Sequence, residues 1–430
     1  MKYFSTNNHN IKVRFKDAVI HGLAPDKGLY FPEEIPQLPQ SFFDTIENLS
    51  DTEIAYTVLQ PFIGDEIPEY ALKEIISETL TFDFPVVKVT DHLYSLELFH
   101  GPTLAFKDVG ARFMSRCLGY FNRNSNENVT VLVATSGDTG GAVANGFLGV
   151  KGVKVVILYP SKRVSDIQEK QLTTLGGNIF ALEVKDTFDT CQNMVKKAFL
   201  DNSLKKYNLT SANSINVARW LPQMIYYFVA YKKLKKLQQK VVISCPSGNF
   251  GNICAGLLAY KMGLPIEQFI AATNANNTVP RFLETEEYLP SQTVATLSNA
   301  MDVSNPSNFV RILELFHQNV PELKSVFSSY SFNDSQTKKA IQELYSEYEY
   351  VADPHGAVGY LGTQKATIPN SVKVFLETAH PIKFKDAVEQ VIGKELPLPD
   401  DISAIIDKEK KSIVIENYEE LKESLALIYK

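Results

Sequence analysis

The sequence is poor in cysteine, and its few cysteines are not arranged to bind a metal or to form a disulfide framework. Cys117, Cys191, Cys245 and Cys254 show no Cys-x-x-Cys spacing, and the seven histidines include no His-Glu-x-x-His pair. Free thiols with mostly apolar neighbours are typical of proteins in a reducing compartment rather than of secreted scaffolds. We therefore expect no bound metal ion and a cytoplasmic location.

Long apolar runs and an excess of positive charge are also lacking. No segment approaches the roughly 20 apolar residues that cross a bilayer, and the first nine residues lack the apolar stretch of a secretory signal. The net charge is −6, so no global field attracts nucleic acid or an anionic membrane. We expect neither as a partner, and any anion must be bound by a local site.

What the sequence does contain is a repeated order of short β-branched strands and longer helical stretches. Its 430 residues, 44% of them hydrophobic and 21% charged, are ordinary for a chain that buries a large core. Prolines separate short predicted helices at 51–62 and 69–80. Further along, the predicted strands are 129–134, 153–158, 179–184, 241–244, 269–272 and 372–376. Continuous apolar strands that alternate with helices predict a parallel sheet covered on both faces.

We therefore predict an α/β fold with two parallel-sheet-based domains and a mostly helical N-terminal lobe. The predicted boundaries are 1–84 for the lobe, 85–237 for a smaller α/β domain and 238–430 for a larger one. In such folds ligands bind at the carboxyl ends of strands, where helix N-termini point inward. The loops after the strands are therefore the places to look for chemistry.

The strongest candidate for an anion site is the loop at 246–252, Pro-Ser-Gly-Asn-Phe-Gly-Asn, hereafter the 246–252 loop. It follows a predicted strand and leads into a helix-like segment. Its two glycines allow close approach of the backbone, and successive N–H groups at a helix start can bind a phosphate. It matches neither the P-loop nor the dinucleotide fingerprint, which disfavours ATP and dinucleotides. An ordinary glycine turn explains the pattern equally well.

A second loop of this kind, the 135–141 loop, reads Thr-Ser-Gly-Asp-Thr-Gly-Gly. It offers hydroxyl groups, backbone amides and one carboxylate at a predicted helix N-terminus. Asp138 can simply be the N-cap of that helix, the commonest role of an aspartate after a glycine turn. Capping does not exclude binding of a substrate carboxylate at the same place.

Lys107 lies in the stretch 98–108, Leu-Phe-His-Gly-Pro-Thr-Leu-Ala-Phe-Lys-Asp. A lysine on a solvated helix face is the commoner explanation of such a position. If Leu104, Phe106 and Phe113 instead exclude water from the amine, its pKa falls and it can form Schiff bases with aldehydes. A nucleophilic lysine, a phosphate loop and no metal ligands together suggest a phosphorylated aldehyde, pyridoxal 5′-phosphate (PLP).

Three motifs resemble those of threonine synthases of the microbial and fungal type, which are fold-type II PLP enzymes. They are His-Gly-Pro-Thr-Leu-Ala-Phe-Lys-Asp at 100–108, Ser-Gly-Asp-Thr-Gly at 136–140 and Ser-Gly-Asn-Phe-Gly-Asn at 247–252. Further matches lie at 28–32, 271–283, 297–303 and 377–383, so the resemblance spans nearly the whole chain. It implies domains like those of the tryptophan synthase β chain. It also implies a PLP-dependent carbon–oxygen lyase that converts O-phospho-L-homoserine and water to L-threonine and phosphate.

The resemblance assigns roles residue by residue. Lys107 would bind the cofactor as a Schiff base and, once freed, move protons at the substrate Cα and Cβ. Thr378 would face the pyridine nitrogen, and Asp138 would lie near the ring hydroxyl, where many fold-type II relatives have Asn. The residues that would bind the cofactor phosphate are Gly248, Asn249, Phe250, Gly251 and Asn252. Those that would bind the substrate carboxylate are Thr135, Ser136, Gly137 and Thr139.

The substrate phosphate requires a second anion site. The resemblance directs us to the loop at 159–165, hereafter the 159–165 loop, which follows a predicted parallel strand and carries positive charge. Its candidate residues are Ser161, Lys162, Arg163 and Ser165, and Asn213, Asn216 and Arg219 would complete the site. A solvated loop is the alternative for Lys162 and Arg163.

Two other functions remain open at this stage. A related phospho-lyase that eliminates phosphate without adding water needs the same residues, and only its product, 2-oxobutyrate instead of threonine, separates the two. A non-enzymatic sensor of amino acids or nucleotides on this scaffold would have lost the Schiff-base lysine, whereas Lys107 is present. For oligomeric state we expect a monomer or a homodimer.

Overall fold

The structure is a computed structural model of the chain, and it describes residues 1–124 and 128–429. Its strands are β1 Lys2–Ser5, β2 Asn8–Arg14, β3 Tyr30–Pro32, β4 Val86–Lys88, β5 Leu93–Glu97, β6 Val129–Ala134, β7 Val153–Pro160, β8 Ile179–Val184, β9 Leu209–Thr210, β10 Lys240–Pro246, β11 Gln268–Thr273, β12 Phe327–Ser331, β13 Ser371–Glu377 and β14 Ile413–Ile415. They form one antiparallel sheet of three strands and two larger sheets in which nearly every pair of neighbours is parallel. The predicted α/β class with two parallel sheets is confirmed.

The helices cover the faces of the two larger sheets and build most of the N-terminal lobe. They are α1 Phe15–His21, α2 Gln40–Thr45, α3 Asp51–Ile63, α4 Glu69–Thr79, α5 Lys107–Asn122, α6 Asp138–Phe147, α7 Asp166–Thr173, α8 Phe188–Leu200, α9 Val217–Trp220, α10 Met224–Leu234, α11 Gly251–Lys261, α12 Thr278–Thr285, α13 Phe309–Leu315, α14 Val320–Val326, α15 Asp334–Tyr348, α16 Pro354–Thr363, α17 Lys385–Ile392, α18 Asp400–Ile406 and α19 Tyr418–Ile428. No helix within the described ranges is long and apolar enough to span a membrane.

The N-terminal lobe is mostly helical, as predicted, but it also contains the three-stranded sheet in the order β2-β1-β3. These strands are short, and β2 alternates exposed and half-buried residues without a buried apolar row. A periodicity search therefore has little to detect there. The helix α3 starts with a capping box in which Ser50 and Glu53 satisfy each other's backbone N–H groups.

The six-stranded sheet has the order β12-β11-β10-β13-β5-β4, in which only β4 runs antiparallel to its neighbour. The five-stranded sheet is entirely parallel, in the order β14-β8-β7-β6-β9. Because all these parallel strands end on loops that lead into helices, the 246–252 and 135–141 loops each lie at a carboxyl edge. The helix α5, which begins at Lys107, packs against α6.

Each of the two larger sheets includes one strand from the part of the chain that mainly forms the other sheet. Strand β5, which precedes Lys107, pairs with β13 in the six-stranded sheet, whereas β14 near the C-terminus pairs with β8 in the five-stranded sheet. The predicted boundaries at residues 84 and 237 do not account for these two strand pairings. As a division into folding units, they stay a prediction. The local sequence of a strand does not indicate which distant strand it pairs with, because its apolar pattern is the same for either partner.

Candidate active site

Lys107 is the first residue of α5, and the loop before it is held by several hydrogen bonds. Thr103 donates through its N–H, at 2.9 Å, and through its hydroxyl to the carboxylate of Asp108. The N–H of Phe106 donates to the carbonyl of Thr378 at 2.9 Å, and Leu104 adopts a left-handed φ of 56°. A non-glycine residue in this region stores backbone strain that the surrounding contacts must hold. The loop therefore places Lys107 at a defined point beside the end of β13.

The amine of Lys107 lies over the ring of Phe106, 5.6 Å from its centroid. Desolvation by the surrounding protein lowers its pKa, the negative charge of Asp138 opposes this shift, and the positive charges of Lys383 and Arg219 add to it. A lysine with a lowered pKa has a larger fraction of nucleophilic neutral amine. This agrees with the desolvated lysine of the sequence prediction rather than with a lysine on a solvated face.

The 246–252 loop has the geometry of an anion site at a helix start. Phe250 adopts a φ of 60° and precedes α11 without providing a side-chain cap, so the first N–H groups of α11 remain available to a ligand. The backbone packs closely at Gly248, where a Cβ atom would lie 2.5 Å from the Cα of Met301. The left-handed residue is thus Phe250 and neither glycine, while Gly248 is required for close packing.

Side chains behind the 246–252 loop hold it in place. Asn249 donates to the hydroxyl of Ser214 at 2.6 Å and accepts from the N–H of Ser307 at 2.6 Å. The hydroxyl of Tyr227 donates to Oδ1 of Asn252 at 2.8 Å, and Nδ2 of Asn252 is buried without a partner among the described residues. A buried donor without a partner is costly unless a ligand supplies the acceptor. The observation fits a bound phosphate.

A buried arginine adds positive charge behind the same loop. Arg311 donates to Oδ1 of Asn308 at 2.8 Å, and Asn308 donates through Nδ2 to the carbonyl of Asn249 at 3.1 Å. Its other hydrogen bonds go to the carbonyls of Tyr30 and Ile215, and no carboxylate pairs with it in the part of the chain that the structure describes. Burial lowers the pKa of Arg311 to about 10, so it stays charged at neutral pH.

The 135–141 loop leads into α6, and Asp138 is the first residue of that helix rather than its N-cap. The residue at the cap position is Gly137, with a φ of 139° and no side chain to cap. The hydroxyl of Thr135 accepts from the N–H groups of Gly137 and Gly140 at 3.0 and 2.8 Å and so holds the loop together. Ser136 and Thr139 remain half-buried and accessible to a small ligand.

The carboxylate of Asp138 is buried and forms an ion pair that the sequence does not reveal. Nζ of Lys383 lies 2.7 Å from Oδ1 of Asp138, and Gln168 donates to the same oxygen at 3.0 Å. Burial alone would raise the pKa of Asp138, but the charges of Lys383 and Lys107 and the hydrogen bonds lower it well below its usual range. Asp138 is therefore a carboxylate at any pH near neutrality.

In the 159–165 loop the structure separates the hydroxyl groups from the charged groups. Ser161 donates to Glu183 at 2.6 Å, and Ser165 caps α7 in a capping box with Gln168. Lys162, with a φ of 58°, and Arg163 are both exposed. Only the two charged side chains are therefore free to meet a mobile ligand.

Of the remaining predicted residues, Asn216, Arg219 and Thr378 are buried, and Asn213 is half-buried with an Oδ1 that has no partner among the described residues. Asn216 donates to the carbonyls of Val19 and Ser211 and caps α9, so its side chain has no group left for a ligand. Arg219 is buried and donates to the carbonyl of Ala212, while its Nε has no partner among the described residues. Burial lowers the pKa of Arg219 to about 10. Thr378 lies directly after β13, with its carbonyl bonded to the Lys107 loop.

Sequence reasoning missed Lys383, Gln168 and Arg311. Lys383 lies in the stretch 377–383 that carries the family resemblance, but nothing in its local sequence marks it as buried. The arrangement as a whole brings a nucleophilic amine to the start of α6 and to the end of β13, whose parallel neighbour β10 leads into the 246–252 loop. A phosphorylated carbonyl compound fits this site, because the amine can react with its carbonyl group while the 246–252 loop holds its phosphate.

Comparison with known proteins agrees with this geometry. Residues 87–377 match the family model for pyridoxal-phosphate dependent enzymes, residues 2–80 that for the threonine synthase N terminus and residues 356–425 that for the threonine synthase C-terminal region. The threonine synthase of Serratia marcescens is 47% identical over 93% of this chain and 92% of its own length. The crystal structure of the Escherichia coli threonine synthase has a TM-score of 0.93 at 43% identity, with both chains fully covered. The PLP-bound threonine synthase of Brucella melitensis has a TM-score of 0.95 at 36% identity, over 100% of this chain and 99% of its own.

Proposed function

The chain belongs to the threonine synthase family of PLP-dependent lyases, and from this we propose the substrate and the role of each residue in the site. The substrate is O-phospho-L-homoserine, which reacts with water to give L-threonine and phosphate. The observation that carries the proposal is the Lys107 amine, whose pKa is lowered by burial and whose charge is felt by Asp138 at the uncapped start of α6. The loop before Lys107 is bonded to Thr378 at the end of β13, and the parallel neighbour of β13, β10, leads into the uncapped start of α11. The site thus offers one nucleophile and separate places for anionic groups.

The residues of the 246–252 loop would hold the cofactor phosphate, and Lys107 would bind its carbonyl carbon. Close packing at Gly248, the available N–H groups of α11 and the unpaired Nδ2 of Asn252 support this placement. Thr378 would face the pyridine nitrogen and Asp138 the ring hydroxyl. When bound, PLP withdraws electrons from the substrate carbons and so makes their protons removable.

The substrate would be bound at its two ends by different loops. Its carboxylate would lie against the start of α6, near the half-buried Ser136 and Thr139. Its phosphate would be held by Lys162 and Arg163, since Ser161 and Ser165 already have partners inside the protein. Arg219, whose Nε has no partner among the described residues, adds positive charge near Lys107.

Lys107 would move the protons that the reaction requires. Its neutral amine would take the proton at the substrate Cα, give it up, and then take one at Cβ, so that phosphate leaves from Cγ as a Cβ–Cγ double bond forms. Protons would then be returned to Cγ and, after water has added at Cβ, to Cα. The released phosphate can then accept a proton from the water molecule that adds at Cβ. Water must reach Cβ at this stage only, so the position of the phosphate decides between threonine and simple elimination.

A product assay with the full-length protein loaded with PLP tests the proposal. We expect O-phospho-L-homoserine to yield threonine and phosphate in equal amounts. Formation of phosphate with 2-oxobutyrate and no threonine would instead identify a phospho-lyase. Binding of the compound without any product would support a sensor.

We also propose a cytoplasmic location and a monomer or homodimer. The support for the first is that the four cysteines are free and buried in the described structure, which suits a reducing compartment. Light scattering at two protein concentrations would measure the mass of the assembly, and a mass above that of a dimer would contradict the second.

A further inference from the structure

Among the residues that the structure describes, Lys383 is the one fully buried lysine, and it contacts two different parts of the site. Its side chain is 0% exposed, its Nζ lies 2.7 Å from Oδ1 of Asp138, and it donates to the carbonyl of Thr103 at 2.8 Å. Thr103 belongs to the loop before Lys107, and Asp138 starts α6 in the other sheet's domain. One ammonium group thus joins the segment after β13 to both of these loops.

The segment that carries Lys383 is itself bonded to the Lys107 loop. The N–H of His380 donates to the carbonyl of Leu104 at 3.0 Å, and the N–H of Lys383 donates to the carbonyl of His380 at 3.0 Å. Ala379 forms an antiparallel bridge with Ala105. Lys383 therefore has little freedom to move relative to Lys107, and its charge acts from a defined position.

Asp138 has two cations within reach of its charge. The positive charges of Lys383 and Lys107 both favour its ionised form, and the pair at 2.7 Å is made with Lys383. If Lys383 were absent, a buried carboxylate would remain, and the nearest cation left to neutralise it would be Lys107. An ammonium group held in an ion pair is protonated and is not a nucleophile.

We propose that Lys383 is a positioning residue that neutralises Asp138 and thereby leaves the Lys107 amine unpaired for its reaction. This rests on the proposed role of Lys107, and it adds a residue with a separate function. The pair also spans the boundary between the two sheets, so it fixes how the start of α6 faces the Lys107 loop.

The other titratable groups around this pair are Asp108, Arg219 and His380. Burial raises the pKa of Asp108 to about 6, with the Thr103 hydrogen bonds opposing the shift. Burial lowers the pKa of His380 to about 4, so it is neutral near pH 7. Arg219 lowers the pKa of Lys107 together with Lys383. None of these three residues forms the ion pair with Asp138. Neutralisation of the Asp138 carboxylate therefore depends on Lys383.

The test uses full-length, PLP-loaded protein and the pH midpoint at which the visible absorbance of the cofactor bound to Lys107 changes. Lys383→Met removes a positive charge, so we expect this midpoint to rise by about one pH unit, a tenfold change in proton affinity. Asp138→Asn removes the negative charge, so we expect the midpoint to fall. The double variant should lie between the two single variants.

Lys385→Met is the matched control, because Lys385 lies two residues away and is only half-buried, with its amine 3.8 Å from Glu389. We expect it to keep the parent midpoint. Lys383→Arg keeps the charge and should keep the midpoint more closely than Lys383→Met, even if packing lowers its thermal stability.

An unchanged midpoint in Lys383→Met, accompanied only by a lower unfolding temperature, would overturn the proposal and leave a purely structural ion pair. If Lys383→Met does not fold, an unchanged or raised midpoint in Asp138→Asn would overturn it instead. Failure of the proposed reaction is a separate outcome. If the parent protein forms no threonine, but the midpoint rises in Lys383→Met and falls in Asp138→Asn, the substrate is refuted and this role of Lys383 is retained.

Discussion

The 246–252 loop and the 159–165 loop both follow a parallel strand and precede a helix, yet they present different groups to a ligand. In the 246–252 loop the helix start is uncapped, the backbone packs against Met301, and Asn249 is held from two sides. In the 159–165 loop Ser165 caps α7 itself, and only the exposed side chains of Lys162 and Arg163 remain.

This difference matches how long each proposed ligand stays. A cofactor that remains through many turnovers suits a rigid cup of backbone donors, because preorganised groups lose little entropy on binding. A substrate phosphate that must leave as a product suits long, exposed side chains, whose contacts are weaker and screened by water. Both proposed ligands depend on Lys107, and each of the following changes should affect one of the two loops more than the other.

The largest effect is expected from Lys107→Ala, which removes the group that both ligands require. Threonine formation should fall below detection, and the absorbance of lysine-bound cofactor should be lost, because no other amine replaces it. The fold should persist, since Lys107 is not part of the apolar core. Product analysis, absorbance and thermal unfolding measure the three outcomes, and near-normal threonine production would refute the assignment.

Gly248→Ala should disrupt the rigid 246–252 loop and so weaken PLP binding. Its Cβ would lie 2.5 Å from the main-chain Cα of Met301, so the 246–252 loop must shift out of its binding geometry. We expect at least a hundredfold loss in PLP affinity, about 2.7 kcal/mol, measured by titration of the cofactor-free protein.

Gly251→Ala is the matched control for Gly248→Ala. There the nearest atom is Nδ2 of Asn308 at 3.3 Å, a side-chain contact that can adjust. We expect a smaller loss of PLP affinity than at Gly248. Equal losses at the two positions would show that packing against Met301 does not shape the loop.

Arg163→Ala and Lys162→Ala should weaken binding of the substrate phosphate by the 159–165 loop and leave PLP binding unchanged. A hydrogen bond to a charged group contributes roughly 1.5–3 kcal/mol, so kcat/KM should fall about tenfold or more for each variant. A misplaced phosphate should also divert product from threonine to 2-oxobutyrate. The exposed Lys185 after the next strand, which pairs with Glu416 at 2.6 Å, provides the control Lys185→Ala. Unchanged kinetics in both loop variants would leave Lys162 and Arg163 as solvated residues.

The smallest effect is expected from salt. Raising the ionic strength from about 0.1 to about 1 M shortens the screening length from roughly 10 to 3 Å, which weakens exposed charges more than buried ones. We expect KM for O-phospho-L-homoserine to rise a few-fold, with less change in Lys162→Ala, while PLP stays bound. Loss of PLP before any change in KM would reverse the comparison between the loops.

The local features of this chain could be predicted from its sequence. The strands at 129–134 and 179–184 have the predicted bounds in the structure, because continuous β-branched and apolar residues have few other uses than a buried strand. The 246–252 and 135–141 loops lie at helix starts as predicted, since glycine clusters after a strand favour a turn into a helix. Lys107 drew attention for a different reason, as a charged residue in an apolar stretch, and the structure desolvates it.

What only the tertiary structure decided is which distant groups meet. Lys383 and Asp138 form a buried pair, β14 joins β8, and Ser161, Ser165 and Asn216 use their polar groups inside the protein. A sequence specifies the donors, acceptors and apolar faces that each segment carries, through short-range sterics and periodicity. Which donor finds which acceptor depends on how the segments pack together, and here that packing determines which charges surround Lys107.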